Sequence, residues 1–380
     1  MAGRSIKVSI NPEVFRWLRE SSGWQIDDVA SRLRTSKNVI LSFEKGTKQP
    51  TLRQLQILAV AFQRPLATFF LAEPQKEKPL PHDFRQLPNK KDLFDKKTIL
   101  AIRKARRFQA ISNELAKNLD EPLSPAVEQT FTLEQSPISL ARDFRAKFSL
   151  TPQKQKAFQS AYQFLNYLRN QIEVLNILTF QFPFPVNDAR GFVLTDELPA
   201  VIVLNSKDHI KARLFTLMHE FGHILLGETV IDLPDWQSKS DVKQEQWCNA
   251  FASSFLLPEA LAKEISIEME NQFTNSKLLT RVSNKYKLSK AMLLYNFYKL
   301  GYLSKKLYNQ ILERWDASLV PQPSGGFASA DQKCLASLGV KFVSMVSESF
   351  EKKHISYSDA LSYLSIKSRN FDKVLAKASR

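Results

Sequence analysis

Three scarcities narrow the protein's class before any motif is read. Of 380 residues only two are cysteine, Cys248 and Cys334. That is too few for a disulfide framework and suits a reducing compartment. Only 10 residues are glycine, which argues against glycine-rich phosphate loops and against collagen-like or low-complexity architectures. The longest apolar runs, such as "AVIVL" at Ala200–Leu204, fall far short of the ~20 residues needed to cross a bilayer. The opening "MAGRSIKVSINPEVF" lacks the apolar core of a secretory leader, and no repeat of solenoid period is present. The expectation is a soluble, cytoplasmic protein with no membrane partner.

What the chain does have is apolar mass and positive charge. It is 43% hydrophobic with 27 phenylalanines, enough for two or three domains with sizeable cores. Lys and Arg number 54 against 38 Asp and Glu, a formal net charge of +16. Such a balance fits nucleic acid or an acidic partner, and equally fits a surface that is merely soluble. Charge alone does not choose between them.

The patterning predicts a mostly helical α+β protein. Residues 1–72 read as short helices separated by tight turns: "NPEVFRWLRESSG", "IDDVASRLR", "KNVILSFEKG" capped by Ser36, and "LRQLQILAVAFQ" capped by Thr51. That is an all-α domain of helix-turn-helix type. Residues 73–95, with four prolines, read as a linker in which "HDFRQ" is a candidate docking segment. Residues 96–320 open with helices, of which one spans 97–118; its basic cluster Arg103–Arg107 reads as a solvated face. Further helical runs cover about 139–148 and 154–169. Strands are expected in "IEVLNILTF" and in "GFVLTDELPAVIVLN", the latter as a hairpin. A second linker, "PQPSGG", precedes a helical region over 327–380.

Two of the five histidines, His219 and His223, stand one helical turn apart in "TLMHEFGHILLG". On a helix they share one face, with Cβ atoms ~5–6 Å apart, and can reach one ion. Glu220, displaced around the helix, can sit beside an activated water without ligating. This is the H-E-x-x-H arrangement of zinc peptidases. Surface or core histidines are the bland alternative. The apolar residues around the trio argue against it, because an unpartnered buried carboxylate is costly. A catalytic zinc also needs a third ligand. In "SDVKQEQWCNAFASSFLLP", Glu245 is the candidate, with Asn249 one turn later orienting a ligating group. Asp232, Asp235 and Asp241 are runners-up, and Cys248 is a less favoured ligand. Arg190, Arg213 and His209 are candidates for a second oxyanion donor, each weighed against a structural role.

"FTLMHEFGHILLG" followed by "EQWCNAFASSFLLP" resembles the ImmA/IrrE family of metallopeptidases, and the similarity extends over about residues 60–315. The resemblance implies a minimal zincin-like core, with His219, His223 and Glu245 on Zn2+ and Glu220 as catalytic acid/base. It also implies a substrate: members of the family cut a helix-turn-helix repressor, often encoded nearby, and so relieve repression during stress or mobile-element induction. An extended substrate segment adding to "PAVIVLN" as an edge strand is the matching mode of presentation.

The N-terminal segment resembles the Xre/Cro-type helix-turn-helix. Lys37, Asn38 and Ser42 would face DNA bases, with Lys45 and Lys48 on phosphates. Ile26, where a polar residue is common, and Val39 and Leu41 on the recognition face depart from that pattern. They leave a protein partner or self-association open. The alternative to a peptidase is a DNA-binding regulator or toxin–antitoxin component without peptidase activity.

Overall fold

The computed structural model describes residues 6–75, 94–121, 123–124, 131–227, 231–232, 242–270, 272–313 and 329–378. "HDFRQ" and "PQPSGG" lie outside these. The chain divides into two compact units, one holding residues 1–80 and 88–107, the other 81–87 and 108–380.

In the first unit, α1 (Pro12–Ser21), α2 (Ile26–Leu33), α3 (Lys37–Glu44) and α4 (Leu52–Phe62) surround a core of Val14, Phe15, Leu18, Val29, Ile40, Phe43, Leu55, Leu58, Phe62 and Phe69. Local chemistry sets the helix starts. Asn11 accepts from the Glu13 amide, and Thr51 and Gln54 cap each other reciprocally at α4. Arg19 and Glu44 form a buried ion pair at 2.6 Å. The helix α5 (Lys96–Asn118) contributes its residues through Arg107 to this unit. There the expected solvated face is corrected. Arg103 donates to Ser22 Oγ at 2.7 Å and to the carbonyls of Phe62 and Ser21 at 2.9 and 2.8 Å. The ends of α1 and α4 leave carbonyls without intrahelical partners, and this guanidinium satisfies them.

The second unit builds a four-stranded sheet: β1 (Leu178–Phe182), β2 (Gly191–Leu194), β3 (Val201–Asn205) and β4 (Ile231–Asp232), ordered β1-β3-β2-β4. β3 runs parallel to β1 and antiparallel to β2, so the expected hairpin forms. However, β3 has a neighbour on each side. The edge-strand reading of "PAVIVLN" is therefore wrong, because both rows of its backbone groups are already paired.

Alternation at period two separates the sheet faces. Ile202, Leu204 and Val193 pack with α8 (Ala161–Glu173, which follows α6, Pro137–Lys147, and α7, Pro152–Ala157) and α9 (Ile210–Leu225). Phe180 and Phe182 instead meet Phe108 of α5, and Phe180 also meets Phe342. After α9 come α10 (Val242–Leu256), α11 (Glu259–Glu268), α12 (Ser276–Tyr286), α13 (Lys290–Lys299) and α14 (Lys305–Glu313). The chain then forms α15 (Ala330–Leu338), α16 (Val340–Glu351), α17 (Tyr357–Leu364) and α18 (Phe371–Ala378), four helices where two or three were expected.

These last helices dock on β1. Ser337 donates to the Gln181 carbonyl, and Arg169 and Gln181 both donate to Ala336 O, at 2.9 and 2.7 Å. A buried Glu173 accepts from the Lys341 amide at 2.9 Å. Burial raises its carboxyl pKa, with the Arg169 charge opposing that.

Candidate metal centre

α9 is capped by His209, whose Nδ1 accepts from the Lys211 amide at 3.2 Å. It is buried without a break from Thr216 to Leu225. The four-residue spacing puts His219 and His223 on one face, with ring centroids 4.8 Å apart and Nε2 atoms 3.1 Å apart. Phe215 stacks on His219 one turn earlier.

The third group arrives through a close helix crossing. A Cβ at Gly222 would lie 3.2 Å from Cys248 Sγ and 3.3 Å from Cys248 Cα, so any side chain there would push α10 a few tenths of an ångström or more from α9. A mid-helix glycine costs about 1 kcal/mol relative to alanine; here it admits the close approach. The approach carries Glu245 to the imidazoles, its carboxylate oxygens 3.3 Å from His219 Nε2 and 3.2 Å from His223 Nε2. Burial pushes the Glu245 carboxyl up, but hydrogen bonds from both histidines outweigh burial and hold it well below the usual carboxylate range. The group is thus an ionised carboxylate, the form that ligates.

In this triangle the imidazole nitrogens lie 3.1 Å apart, with Glu245 Oε1 3.2 Å from His223 Nε2 and Glu245 Oε2 3.3 Å from His219 Nε2. One ligand atom from each residue lies within 4.8 Å of the others, near enough for all three to reach one ion with bonds of about 2.0–2.1 Å. Two histidine nitrogens and a carboxylate converging on one point also place three electron-rich atoms together, an arrangement a cation relieves. Among the described residues His219, His223 and Glu245 are the group able to hold a metal ion. The residues present fit a divalent ion of borderline hardness, such as zinc.

The other predicted residues fall as follows. Glu220 does not join the triangle. It is fully buried, and its Oε1 faces the first residue of β2, Gly191. Asn249 donates at 2.7 Å to the Glu245 carbonyl, so it steadies the main chain of that turn rather than the Glu245 carboxylate. Cys248 lies against Gly222, not in the triangle. Asp232 is in β4, while Asp235 and Asp241 lie outside the described residues. The three oxyanion candidates are engaged elsewhere. Arg190 pairs with Asp208 at 3.2 Å, Arg213 donates to Gln181 Oε1 at 2.7 Å, and His209 caps α9.

In the first unit, Lys37, Asn38, Lys45 and Lys48 are exposed along and just after α3, and Ser42 is half-buried. Lys37 is engaged by Asp27 at 2.7 Å, and Ser42 Oγ donates to Asn38 O. Val39 turns toward the domain core, which corrects its placement on the outward face. Ile26 likewise packs on the core. An apolar residue there serves packing and carries no message about the ligand.

Sequence reasoning missed Gly191 and Gly222. Their signal was present: in a chain with so few glycines, one inside a buried helix and one opening a strand mark close approaches.

Two family models match parts of the chain. Residues 172–298 match the IrrE N-terminal-like domain of the M78 peptidases, and residues 15–69 match a helix-turn-helix domain. No curated protein matches the chain. The segment that carries the candidate metal centre thus matches the M78 peptidase family and is joined in one chain to a segment that matches an Xre-type helix-turn-helix domain, the combination expected from the resemblance to ImmA/IrrE proteins.

Proposed function

We propose that the protein is a zinc-dependent endopeptidase that cleaves a regulatory protein, a helix-turn-helix repressor, and thereby relieves repression. The observation that carries this reading is the triangle of His219, His223 and Glu245 with Glu220 on the same helix. When bound there, zinc would supply Lewis acidity, activating water at neutral pH and polarising the scissile carbonyl. Glu220 takes one proton from the attacking water and returns it to the departing amine, so the water's oxygen ends on the new carboxylate and the amide nitrogen leaves as an amine. Glu245 keeps its negative charge throughout, and Asn249 holds the turn that carries it.

Because β3 is interior, an extended substrate cannot add to it. β4 is the outermost described strand on the β2 side of the sheet, the side on which Glu220 meets Gly191. We place the substrate segment there. No described helix is long and apolar enough to cross a membrane.

The same reading gives the first unit a DNA role, supported by Lys45 and Lys48 exposed beside α3. The regulator without peptidase activity is disfavoured by Glu220, since a purely structural zinc site has no use for a neighbouring base.

The test is incubation of the zinc-loaded chain with purified helix-turn-helix repressors encoded beside it, followed by mass spectrometry. Discrete cleavage by wild type and a fall of about 10²–10⁴-fold with Glu220→Gln are expected. Equal cleavage by both proteins would end the proposal.

A further inference from the structure

Gly191 opens β2 with its backbone against α9. A Cβ built there would lie 2.6 Å from Thr216 Cγ2, 2.8 Å from Glu220 Oε1 and 3.1 Å from Val203 O. Its φ is not in the left-handed region, since the glycines with positive φ are Gly23, Gly46, Gly227, Gly301 and Gly339. Space, not backbone freedom, is what the position requires. Ordinary contact begins at 3.4 Å, so the carboxylate oxygen sits about 0.6 Å (3.4 less 2.8) inside the room a side chain would need.

The strand cannot readily withdraw to make that room. Gly191 lies opposite Leu204 on one side and Asp232 on the other. The residue before it is pinned, because the Asn205 amide donates to Arg190 O at 2.9 Å. The buried Asn205 side chain also donates to Ala189 O at 3.0 Å and to Phe184 O at 3.1 Å. The opposing helix is no freer, buried throughout the turn that carries Thr216 and Glu220. Of the three neighbours, Val203 O belongs to the interior strand, so the two side-chain contacts under 3.0 Å, the Thr216 methyl and the Glu220 carboxylate oxygen, are those that must yield.

We infer that Gly191 is a positioning residue, a side-chain-free floor that fixes where the Glu220 carboxylate lies. This inference rests on the peptidase reading of Glu220, through which alone it acts. A misplacement on the ångström scale costs up to ~10²-fold in a reaction that depends on alignment.

The experiment uses the full-length, zinc-loaded protein and acetohydroxamate as probe. That ligand binds zinc through its two oxygens and passes its hydroxyl proton to a neighbouring carboxylate, so its affinity reports on Glu220 without turnover. Wild type, Gly191→Ala, Glu220→Gln and the double variant form a cycle, with metal content and thermal unfolding measured on each. Gly191→Ala is expected to keep its metal and to bind acetohydroxamate about tenfold or more weakly. In the Glu220→Gln background the same substitution is expected to change nothing further.

A Gly191→Ala protein with wild-type affinity overturns the inference, as does one that weakens binding equally in both backgrounds. If Glu220→Gln leaves hydroxamate binding unchanged, the peptidase reading of Glu220 and this inference fail together. If Gly191→Ala alone does not load zinc, the cycle is repeated with Thr216→Ala, which removes the methyl at 2.6 Å and leaves the Glu220 carboxylate at 2.8 Å as the nearest contact, with Val203 O at 3.1 Å common to both Glu220 backgrounds.

Discussion

α3 and α9 each carry a proposed function, and they carry it on opposite sides of their own surfaces. α3 buries Ile40, Phe43 and Glu44 and leaves Lys37 and Asn38 in solvent. α9 buries all ten residues from Thr216 to Leu225, including both histidines and the glutamate. An outward function is written in charges that fold independently of their ligand. An inward one is written in distances that folding itself must hold. Exposed polar residues are expected to be replaceable on α3 without loss of stability, and the buried ones of α9 are not.

The largest test of that contrast is Glu44, the one charged residue of α3 that behaves like α9. Removing it by Glu44→Ala leaves Arg19 buried without its main partner, although Arg19 keeps bonds to Glu20 and to Trp24 O. A loss of about 3 kcal/mol is expected in urea unfolding, and Arg19→Met/Glu44→Leu should recover most of it. No loss from Glu44→Ala would mean that burial on α3 carries no electrostatic cost.

Next comes Gly222→Val on α9, which drives a branched side chain into Cys248. It is expected to destabilise by about 1–3 kcal/mol and to weaken metal retention, because Glu245 rides on the helix displaced. Unchanged metal content would separate the crossing from the site.

Smallest in stability is Lys45→Ala/Lys48→Ala, within about ±0.5 kcal/mol of wild type. Its effect belongs in binding. The slope of log affinity against log salt for a duplex carrying the protein's own promoter region should fall by about two. An unchanged slope would move the first unit from DNA to a protein partner.

The residues that could be read from the sequence are those whose partners are near in the chain or whose types are chemically rare. His219, Glu220 and His223 share a turn and a half of helix, and Glu245 stood out as an acid opening a helix with an apolar face. Strand order is different, because nothing in "PAVIVLN" says which strand pairs on which side. The β-augmentation reading failed there. "IEVLNIL" misled in another way: Ile172 belongs to the last turn of α8, and the helix gives way at Asn176, which takes a left-handed φ of 62°. A short apolar run fits helix or strand equally well by periodicity; the asparagine was the better signal. The run expected over 154–169 is two helices, with Ser160 capping the second by accepting from the Gln163 amide. Arg103 was unreadable for a simpler reason. Two of its partners, Ser21 O and Phe62 O, are main-chain carbonyls more than forty residues away, and carbonyls leave no mark in a sequence.

The central claim is that three side chains hold a metal and a fourth, beside them, does not. Elemental analysis of the purified protein tests it most directly, with wild type beside His223→Ala, Glu245→Ala and Glu220→Gln. The account predicts about one zinc per chain in wild type and in Glu220→Gln, and little or none in the other two. A wild-type protein that takes up no divalent metal after reconstitution, or a Glu245→Ala protein that keeps its full complement, would contradict it.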